Sequence, residues 1–348
     1  MAVKNAQGRI VVFDVEEFVD QIFSGQHCCL CGKAINDDNS NREHIIPDWL
    51  LRHGNLYQQT ISLPNGTPFK YGQYVIPCCV SCNSEYGQHL EARISLLLTS
   101  GYDHFMRNAT REDYQYLFVW LAWVYFKTHF KDTSLRLHRD RRKGDAMIGD
   151  LYDLSRLHHV HAIARSLHSG ALLDDSCFGT LLVFRADQGS VAHIFDYRDF
   201  NALNTLLIRI DSLALLVSLD DGGECSEFML GLKQGICDNA LSAIQLRELL
   251  AHLTYERASL LQPPAYATAY YPASDTARII QSQPATSERK EYEPRVYGEL
   301  LYYSVHDLIG KSGFADEAAA VEAIKSGNGG FMFDERNRFV ANGAPLRA

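Results

Sequence analysis

Six of the nine cysteines lie in two short clusters, and these are the residues best able to do chemistry in this chain. Each cluster contains one C-x-x-C spacing, which lets a tight turn present two sulfur atoms to a single ion. Four thiolates around one ion form the closed tetrahedral arrangement of structural zinc, which leaves no position for a substrate. The sequence therefore predicts one structural Zn2+ site with four ligands: Cys28, Cys31, Cys79 and Cys82.

The doubled cysteines leave an ambiguity in the choice of ligands. Cys29 follows Cys28 directly and Cys78 precedes Cys79, so each could replace its neighbour at the metal. The spacing of two residues favours Cys28 and Cys79, and we expect Cys29 and Cys78 to point away from the ion. The alternative is that some of these thiols are core or redox residues. The scattered cysteines are expected to pack as small hydrophobic residues: Cys177, Cys225 and Cys237.

Between the clusters, the segment NREHIIPDWL places Glu43 and His44 side by side. The two β-branched residues and the proline that follow predict the end of a strand and a turn. A carboxylate can ligate a hard cation, and an imidazole can accept a proton from water. Directly after the second cluster, Asn83 begins a helical pattern. We expect Glu85 and Glu91 of that helix to face solvent rather than a metal.

The order and spacing of these motifs resemble the HNH endonucleases of the ββα-metal superfamily, in particular the zinc-bearing branch that includes phage recombination endonuclease VII. The resemblance covers about residues 25–100 and rests on C-x-x-C, then EHIIP, then C-x-x-C-N at the start of a helix. It implies a hairpin and a helix held together by zinc. It also implies that phosphodiester bonds of DNA are hydrolysed, with RNA left open. In that family one Mg2+ or Mn2+ ion is held by the residues that match Glu43 and Asn83, and His44 matches the general base.

The chain departs from the commonest family pattern at three places. Glu43 stands where most members have Asp, and Asn83 stands where many have His. The middle Asn of the family name has two candidates here, Asn55 and Asn65, and the sequence does not choose between them. The extended motif sequences, EHIIPDWL and CNSEYGQHLE, also resemble those of large bacterial HNH proteins, several of them from anti-phage defence loci. That likeness implies a role as an effector in anti-phage defence.

A basic segment, KTHFKDTSLRLHRDRRK, follows an aromatic helical stretch and has seven Lys or Arg residues against two Asp. The whole chain has a formal charge of −9, which argues against a protein that coats nucleic acid through bulk charge, but a local basic patch can hold a phosphate backbone. An ordinary solvated surface is the alternative. The candidate contacts to nucleic acid are Lys127, Lys131, Arg136, Arg139, Arg141, Arg142 and Lys143.

The periodicity along the chain predicts an α+β protein: a zinc-stabilised ββα-metal (HNH) module, followed by a mixed helical and β-rich domain. Helical patterns over residues 111–170 precede β-rich runs over 178–232 and an amphipathic helix over 242–261. The expected domains are 1–100 for the nuclease module, 101–262 for recognition, dimerisation or regulation, 263–294 for a Pro-rich linker and 295–348 for a small appendage with a hairpin over 330–342.

The partners are predicted from the same patterns. The start of the chain has no apolar leader and no apolar run reaches the roughly 20 residues of a membrane span, so we expect a cytoplasmic protein without a membrane partner. One HNH site cuts one strand, so we expect a homo-oligomer, with a dimer as the simplest form, and a regulatory protein or ligand. The competing hypothesis is a zinc-stabilised module that binds nucleic acid or protein without catalysis.

Overall fold

The computed structural model describes residues 2–189, 194–236, 238–282, 288–310 and 316–341. Over these residues the protein is α+β, as predicted. The strands are β1 (Val3–Lys4), β2 (Ile10–Val12), β3 (Ser40–His44), β4 (Thr60–Ser62), β5 (Pro68–Lys70), β6 (Val75–Cys79), β7 (Leu172–Leu173), β8 (Leu181–Arg185), β9 (Phe195–Phe200), β10 (Thr205–Ile210), β11 (Leu213–Ser218), β12 (Ala265–Tyr271) and β13 (Thr276–Ser282).

The described helices vary from single turns to more than six turns, and short 3-10 and π-helical turns lie between some of them. The α-helices are α1 (Val15–Glu17), α2 (Asp48–His53), α3 (Val80–Tyr86), α4 (Ala92–Thr99), α5 (Tyr102–Asn108), α6 (Arg111–Thr133), α7 (Leu157–Ala164), α8 (Ser166–Ser169), α9 (Ser226–Ile236), α10 (Ala243–Ser259), α11 (Pro294–Ile309) and α12 (Glu317–Lys325). Within the described ranges, no helix combines the length and the hydrophobicity that crossing a bilayer requires.

The chain divides into two compact units, each assembled from three separate segments. Unit 1 comprises Met1–Leu97, Ala109–Cys177 and Tyr266–Gln281, and unit 2 comprises Leu98–Asn108, Phe178–Ala265 and Ser282–Ala348. This division differs from the predicted boundaries, because the helices after residue 108 pack with the N-terminal segment instead of starting a second domain. The cysteine clusters and the Glu-His pair all lie in unit 1.

Within unit 1, two short antiparallel strands and a helix carry the candidate residues. Strand β3 pairs with β6 so that Glu43 lies opposite Ile76 and His44 opposite Val75. Pro47 then ends the extended stretch at the start of α2. Strand β6 ends at Cys79, whose extended backbone makes it the residue that caps α3. Strand β3 is therefore paired with β6, and β6 leads directly into α3.

Helix α6 is a largely buried helix of unit 1. Thr110 and Asp113 cap its start by exchanging hydrogen bonds, and the helix then runs for 23 residues. Trp120 and Trp123 are fully buried, and so is nearly every side chain from Leu117 onward. The prediction of a helix buried on all sides is confirmed.

Unit 2 is built on a four-stranded antiparallel sheet in the order β8–β11–β10–β9. Helix α10 packs on this sheet through Leu249, Leu250 and Leu253, which share a core cluster with Leu207 and Leu216 of the strands. Helix α11 packs in turn against α10. The predicted β-rich region and the helix after it are confirmed, except that Ser226–Ile236 form helix α9 instead of continuing the β pattern.

The predicted linker contains regular structure instead. Strands β12 and β13 lie within it, and β13 pairs in parallel with β7. The sequences AYATAYY and TARIIQS are short β patterns. Pro263 and Pro264 lie before β12, and Pro272 lies in the turn between the two strands. Near the C-terminus a bridge joins Phe333 and Phe339, within the predicted hairpin. The end of that hairpin at residue 342 and the core prediction for Cys237 lie outside the described residues, whereas Cys177 and Cys225 are buried as expected.

Candidate metal centre and adjoining carboxylates

The four predicted zinc ligands lie together in unit 1. The sulfur atoms of Cys28, Cys31, Cys79 and Cys82 are all within 4.8 Å of one another, and those of Cys31 and Cys79 are 3.7 Å apart. A tetrahedral site with Zn–S bonds of about 2.3 Å places its sulfurs roughly 3.8 Å apart. The four cysteines are therefore close enough to hold a metal ion such as zinc.

The first C-x-x-C turn has the backbone that presents two sulfurs to one side. Gly32 donates its N–H to Cys28 O at 2.8 Å, and its φ of 73° is in the left-handed region. A Cβ at this position would lie 2.7 Å from Cζ of Phe13, so only glycine fits. The buried ring of His161 also contacts this turn, because its Nε2 lies 2.6 Å from Cys29 O.

Cys29 and Cys78, the two clustered cysteines that were not predicted to bind zinc, have different surroundings. Cys29 is buried beside the turn, and its backbone carbonyl is the one that His161 contacts. Cys78 was expected to point away from the metal, but its sulfur lies only 3.7 Å from that of Cys28. Cys78 directly precedes Cys79 at the end of β6, immediately before α3 turns the chain, so its backbone also lies beside the cluster.

Crowding among the thiols changes their acidity in opposite directions. Hydrogen bonds from Cys31, Cys78 and Cys82 lower the pKa of Cys28. A hydrogen bond to Cys28 raises the pKa of Cys82, and the same cause raises the pKa of Cys31 to about 12. Without a cation, one thiolate is thus stabilised by its neighbours' protons. A divalent metal ion would take the place of those protons, so the cluster fits zinc.

Arg165 is a buried cation next to the first cysteine turn, with an exposed fraction of 1%. Its guanidinium donates to three backbone carbonyls, Leu30 O at 2.9 Å, Val11 O at 3.0 Å and Ile10 O at 2.7 Å. Burial lowers the pKa of Arg165 to about 10, and nearby thiolates oppose that change. Four thiolates around Zn2+ carry a net charge of −2, so this arginine is placed to balance it.

A second cluster of charges lies at the end of β3. The ammonium Nζ of Lys127, on α6, is 2.5 Å from Oε1 of Glu43 and donates to His44 O at 2.7 Å. The Lys127 side chain is fully buried, and 9% of the Glu43 side chain is exposed. Lys127 also lies 5.0 Å from the centre of the Trp123 ring. The carboxylate predicted to bind Mg2+ is therefore paired with a lysine.

Glu91 completes this charge cluster, although solvent exposure was expected for it. Its Oε1 lies 3.7 Å from Lys127 Nζ, and only 14% of its side chain is exposed. Burial raises the pKa of Glu91 to about 7, and the charge of Lys127 opposes the rise. A π-helical turn over Gly87–Glu91 shifts the helical periodicity between α3 and α4, which is why the face of Glu91 was misjudged. We call Glu43, Glu91 and Lys127 the carboxylate–lysine cluster.

The other predicted active-site residues lie on neighbouring elements. His44 is half-buried, and its ring is edge-on to that of Tyr57, with 6.1 Å between centroids. Asn83 is half-buried in the first turns of α3, one residue after Cys82, and α3 packs against β3. Asn83 therefore lies on a helix that packs against the strand of Glu43 and His44.

The two candidates for the middle Asn have distinct structural roles. Asn55 has a left-handed φ of 50° just after α2. Asn65 lies in the β4–β5 turn, where its side chain accepts from Thr67 N at 3.0 Å and donates to Arg136 O at 2.8 Å. Of the two, Asn65 is the one whose side chain braces a loop against another segment.

The predicted Mg2+ or Mn2+ site does not fit this arrangement while Lys127 is in place. The ammonium already occupies the position beside Glu43 Oε1 where a ligated cation would lie. The positive charge of Lys127 would repel a divalent ion at this position, and little solvent is present there to screen the repulsion. Magnesium ligation by Glu43 and Asn83 stays a prediction that requires the ammonium to move.

The basic segment is partly buried and partly exposed. Lys127 was predicted to contact nucleic acid, and that prediction is wrong because the side chain is buried and ion-paired. Lys131 is half-buried. Arg136 pairs with Asp145, and Arg142 with Asp140. The exposed basic residues of the segment are Arg139, Arg141, Arg142 and Lys143.

A histidine also adjoins the cysteine site. His168 Nδ1 lies 2.6 Å from Glu85 Oε2 and 4.0 Å from Cys82 Sγ, so these three residues form a second group of potential metal ligands. Because Cys82 belongs to both groups, His168 and Glu85 lie next to one of the four sulfurs of the predicted zinc site. Their spacing in sequence gave no signal of this contact.

Comparisons with protein-family models, with curated proteins and with solved structures found no match to this chain. The residues and contacts described above are therefore what supports a function.

Proposed function

We propose that this chain is a metal-dependent HNH-type endonuclease that hydrolyses phosphodiester bonds of DNA. One observation supports this best: β3, which ends in Glu43 and His44, pairs with the strand that runs through Cys79 into the helix of Asn83. The four-cysteine site fixes where that helix starts. The order strand, strand, helix and the three polar residues at its junctions agree with the family that the motifs resemble.

The proposed chemistry assigns a role to each of these side chains. His44 accepts the proton of the attacking water, a task that suits a half-buried imidazole at the end of a strand. Asn83 offers an amide next to the same strand for orienting a phosphate oxygen. Glu43 is the carboxylate that a divalent ion would meet once the ammonium of Lys127 has moved away. Four cysteines bound to zinc would hold α3 and β6 in place and would add to the free energy of folding.

The exposed arginines and lysine after α6 are proposed to contact the phosphate backbone of the substrate. Because one site cuts one strand, the proposal includes a homodimer for double-strand cleavage. A role as an effector in anti-phage defence, in the cytoplasm and under control of a partner or ligand, is the broader form of the same proposal.

A second candidate function is favoured by the ion pair between Glu43 and Lys127. A carboxylate that is buried and neutralised by a lysine can serve structure alone, as in a zinc-stabilised module that binds nucleic acid or protein without cutting it. In that case Glu43 and Lys127 connect β3 to α6, and the Glu-His pair has no chemical role.

Supercoiled plasmid incubated with the zinc-loaded protein distinguishes the two functions. The nuclease proposal predicts nicked circles with Mg2+ or Mn2+ and intact plasmid when only zinc is present, with 5′-phosphate ends at the nicks. The same assay on single-stranded RNA tests the substrate class. Plasmid that stays supercoiled with either ion, while the protein binds it, supports the non-catalytic module instead.

A further inference from the structure

The carboxylate–lysine cluster has one cation for two acidic side chains. Lys127 has three N–H donors, of which one is directed to Glu43 Oε1 at 2.5 Å and another to His44 O at 2.7 Å. Glu91 Oε1 is 3.7 Å from the same nitrogen, too far for a hydrogen bond, and it is a buried oxygen without a hydrogen-bond partner among the described residues. When both carboxyl groups are ionised, the cluster is therefore short of positive charge.

Charge counting shows what a divalent ion would change. With Glu43 and Glu91 ionised and Lys127 protonated, the cluster carries one net negative charge. A divalent ion in place of the ammonium brings the sum to zero and could satisfy both carboxylates. An ion added beside the ammonium instead brings the sum to plus one and places two cations at close range in a buried site.

We propose that the ammonium of Lys127 is a built-in cation that a divalent metal ion must displace to reach Glu43, so that Lys127 sets the metal affinity of this site. The two cations are mutually exclusive, and Glu91 is the second carboxylate that the incoming ion gains. This inference rests on the proposed function and adds to it, because it names the residue that controls occupancy of the catalytic metal site.

Direct binding of Mn2+ tests the inference without reference to activity. Free Mn2+ is measured by electron paramagnetic resonance in titrations of zinc-loaded wild type, Lys127→Met and the control Lys131→Met, which makes the same change one turn further along α6. We expect Lys127→Met to bind Mn2+ about tenfold more tightly or better, because the repulsion is removed. Lys131→Met should match the wild type. Equal or weaker binding by Lys127→Met would overturn the inference.

A double substitution shows whether the gain arises at the carboxylate. Lys127→Met combined with Glu43→Gln should lose the added affinity, since the ion then lacks its main ligand. If the double variant binds as tightly as Lys127→Met alone, the ion lies elsewhere and the inference fails. Zinc content is measured in each sample to show that Mn2+ has not replaced zinc.

Loss of a buried ion pair can prevent folding, so thermal unfolding is recorded with and without Mn2+. The inference predicts that Mn2+ raises the Tm of Lys127→Met more than that of the wild type, because the ion replaces the missing charge. A Lys127→Met protein that stays unfolded in Mn2+ would contradict it. Plasmid nicking is scored separately. If Lys127→Met binds Mn2+ more tightly but neither the wild type nor any variant nicks plasmid, only the nuclease proposal is wrong. If the wild type nicks plasmid but Lys127→Met binds Mn2+ no more tightly, only this inference is wrong.

Discussion

Lys127 and Glu43 are 84 residues apart in sequence, yet their charged groups meet at 2.5 Å in the interior of unit 1. At an effective dielectric constant of about 20, two unit charges 4 Å apart interact with about 4 kcal/mol. Removing one partner of such a buried pair typically costs about 3–5 kcal/mol. The pair therefore fixes the end of β3 against α6.

The choice of zinc ligands gives the first prediction. Cys79→Ser should lower bound zinc well below the roughly one ion per chain expected of the wild type, because four thiolates are needed to close the site. Cys78→Ser, its neighbour in the chain, should keep full zinc content, although its sulfur lies near Cys28. Metal content of the purified proteins is measured by mass spectrometry. Loss of zinc from Cys78→Ser but not from Cys79→Ser would reverse the assignment.

The pH dependence of stability should reveal the buried carboxyl of Glu91. Its folded pKa is about 7, above the ordinary 4.5, so the folded state binds the extra proton between these values. Stability should then fall as pH rises from 4.5 to 7, by up to roughly 3 kcal/mol. Glu91→Gln removes this slope, whereas the exposed control Glu112→Gln keeps it.

Urea unfolding followed by tryptophan fluorescence measures this slope. All three tryptophans, Trp49, Trp120 and Trp123, lie in unit 1 and report on the part of the chain that contains Glu91. The titrations are made without added divalent ions. Parallel pH profiles for wild type and Glu91→Gln would show that Glu91 does not titrate in this way.

The exposed basic residues after α6 give a prediction about DNA affinity. Arg139→Ala with Lys143→Ala should weaken binding to duplex DNA and reduce the slope of log affinity against log salt by about 2, close to 0.9 for each lost phosphate contact. A control pair, Arg107→Ala with Arg295→Ala, removes two exposed arginines of unit 2. If both pairs change the salt slope equally, the segment has no special role in binding.

Much of the candidate site follows from short-range patterns in the sequence. The C-x-x-C spacings chose four cysteines that do lie together, since a two-residue separation almost dictates a shared turn. The long helix α6 was predicted from its uniform apolar character. These features depend on residues close in sequence, so the sequence was sufficient for them.

The contacts that join distant segments could not be predicted in the same way. Lys127 was placed with the exposed basic residues, although it stands inside an apolar helix where an unpaired charge is costly. That position was the available signal that a buried carboxylate must face it. Which carboxylate it meets depends on how α6 packs against β3, and no local pattern encodes that packing. Arg165 was missed for the same reason.

The pairing of β13 with β7 connects the predicted linker to unit 1. Residues 265–282 are rich in small residues and flanked by prolines, which are typical of a linker, but β13 finds a partner in β7 more than a hundred residues earlier. A parallel pairing between strands so far apart in sequence cannot be predicted from the local sequence of either short segment.

The role of His44 as base of the proposed nuclease is tested by the initial rate of plasmid nicking with Mg2+ or Mn2+. His44→Ala should lower this rate about a hundredfold or more, because the side chain proposed to take the proton from water is then missing. His53→Ala, an exposed histidine at the end of α2, should match the wild type. Equal rates for wild type and His44→Ala, with zinc content and folding unchanged, would show that His44 is not the base.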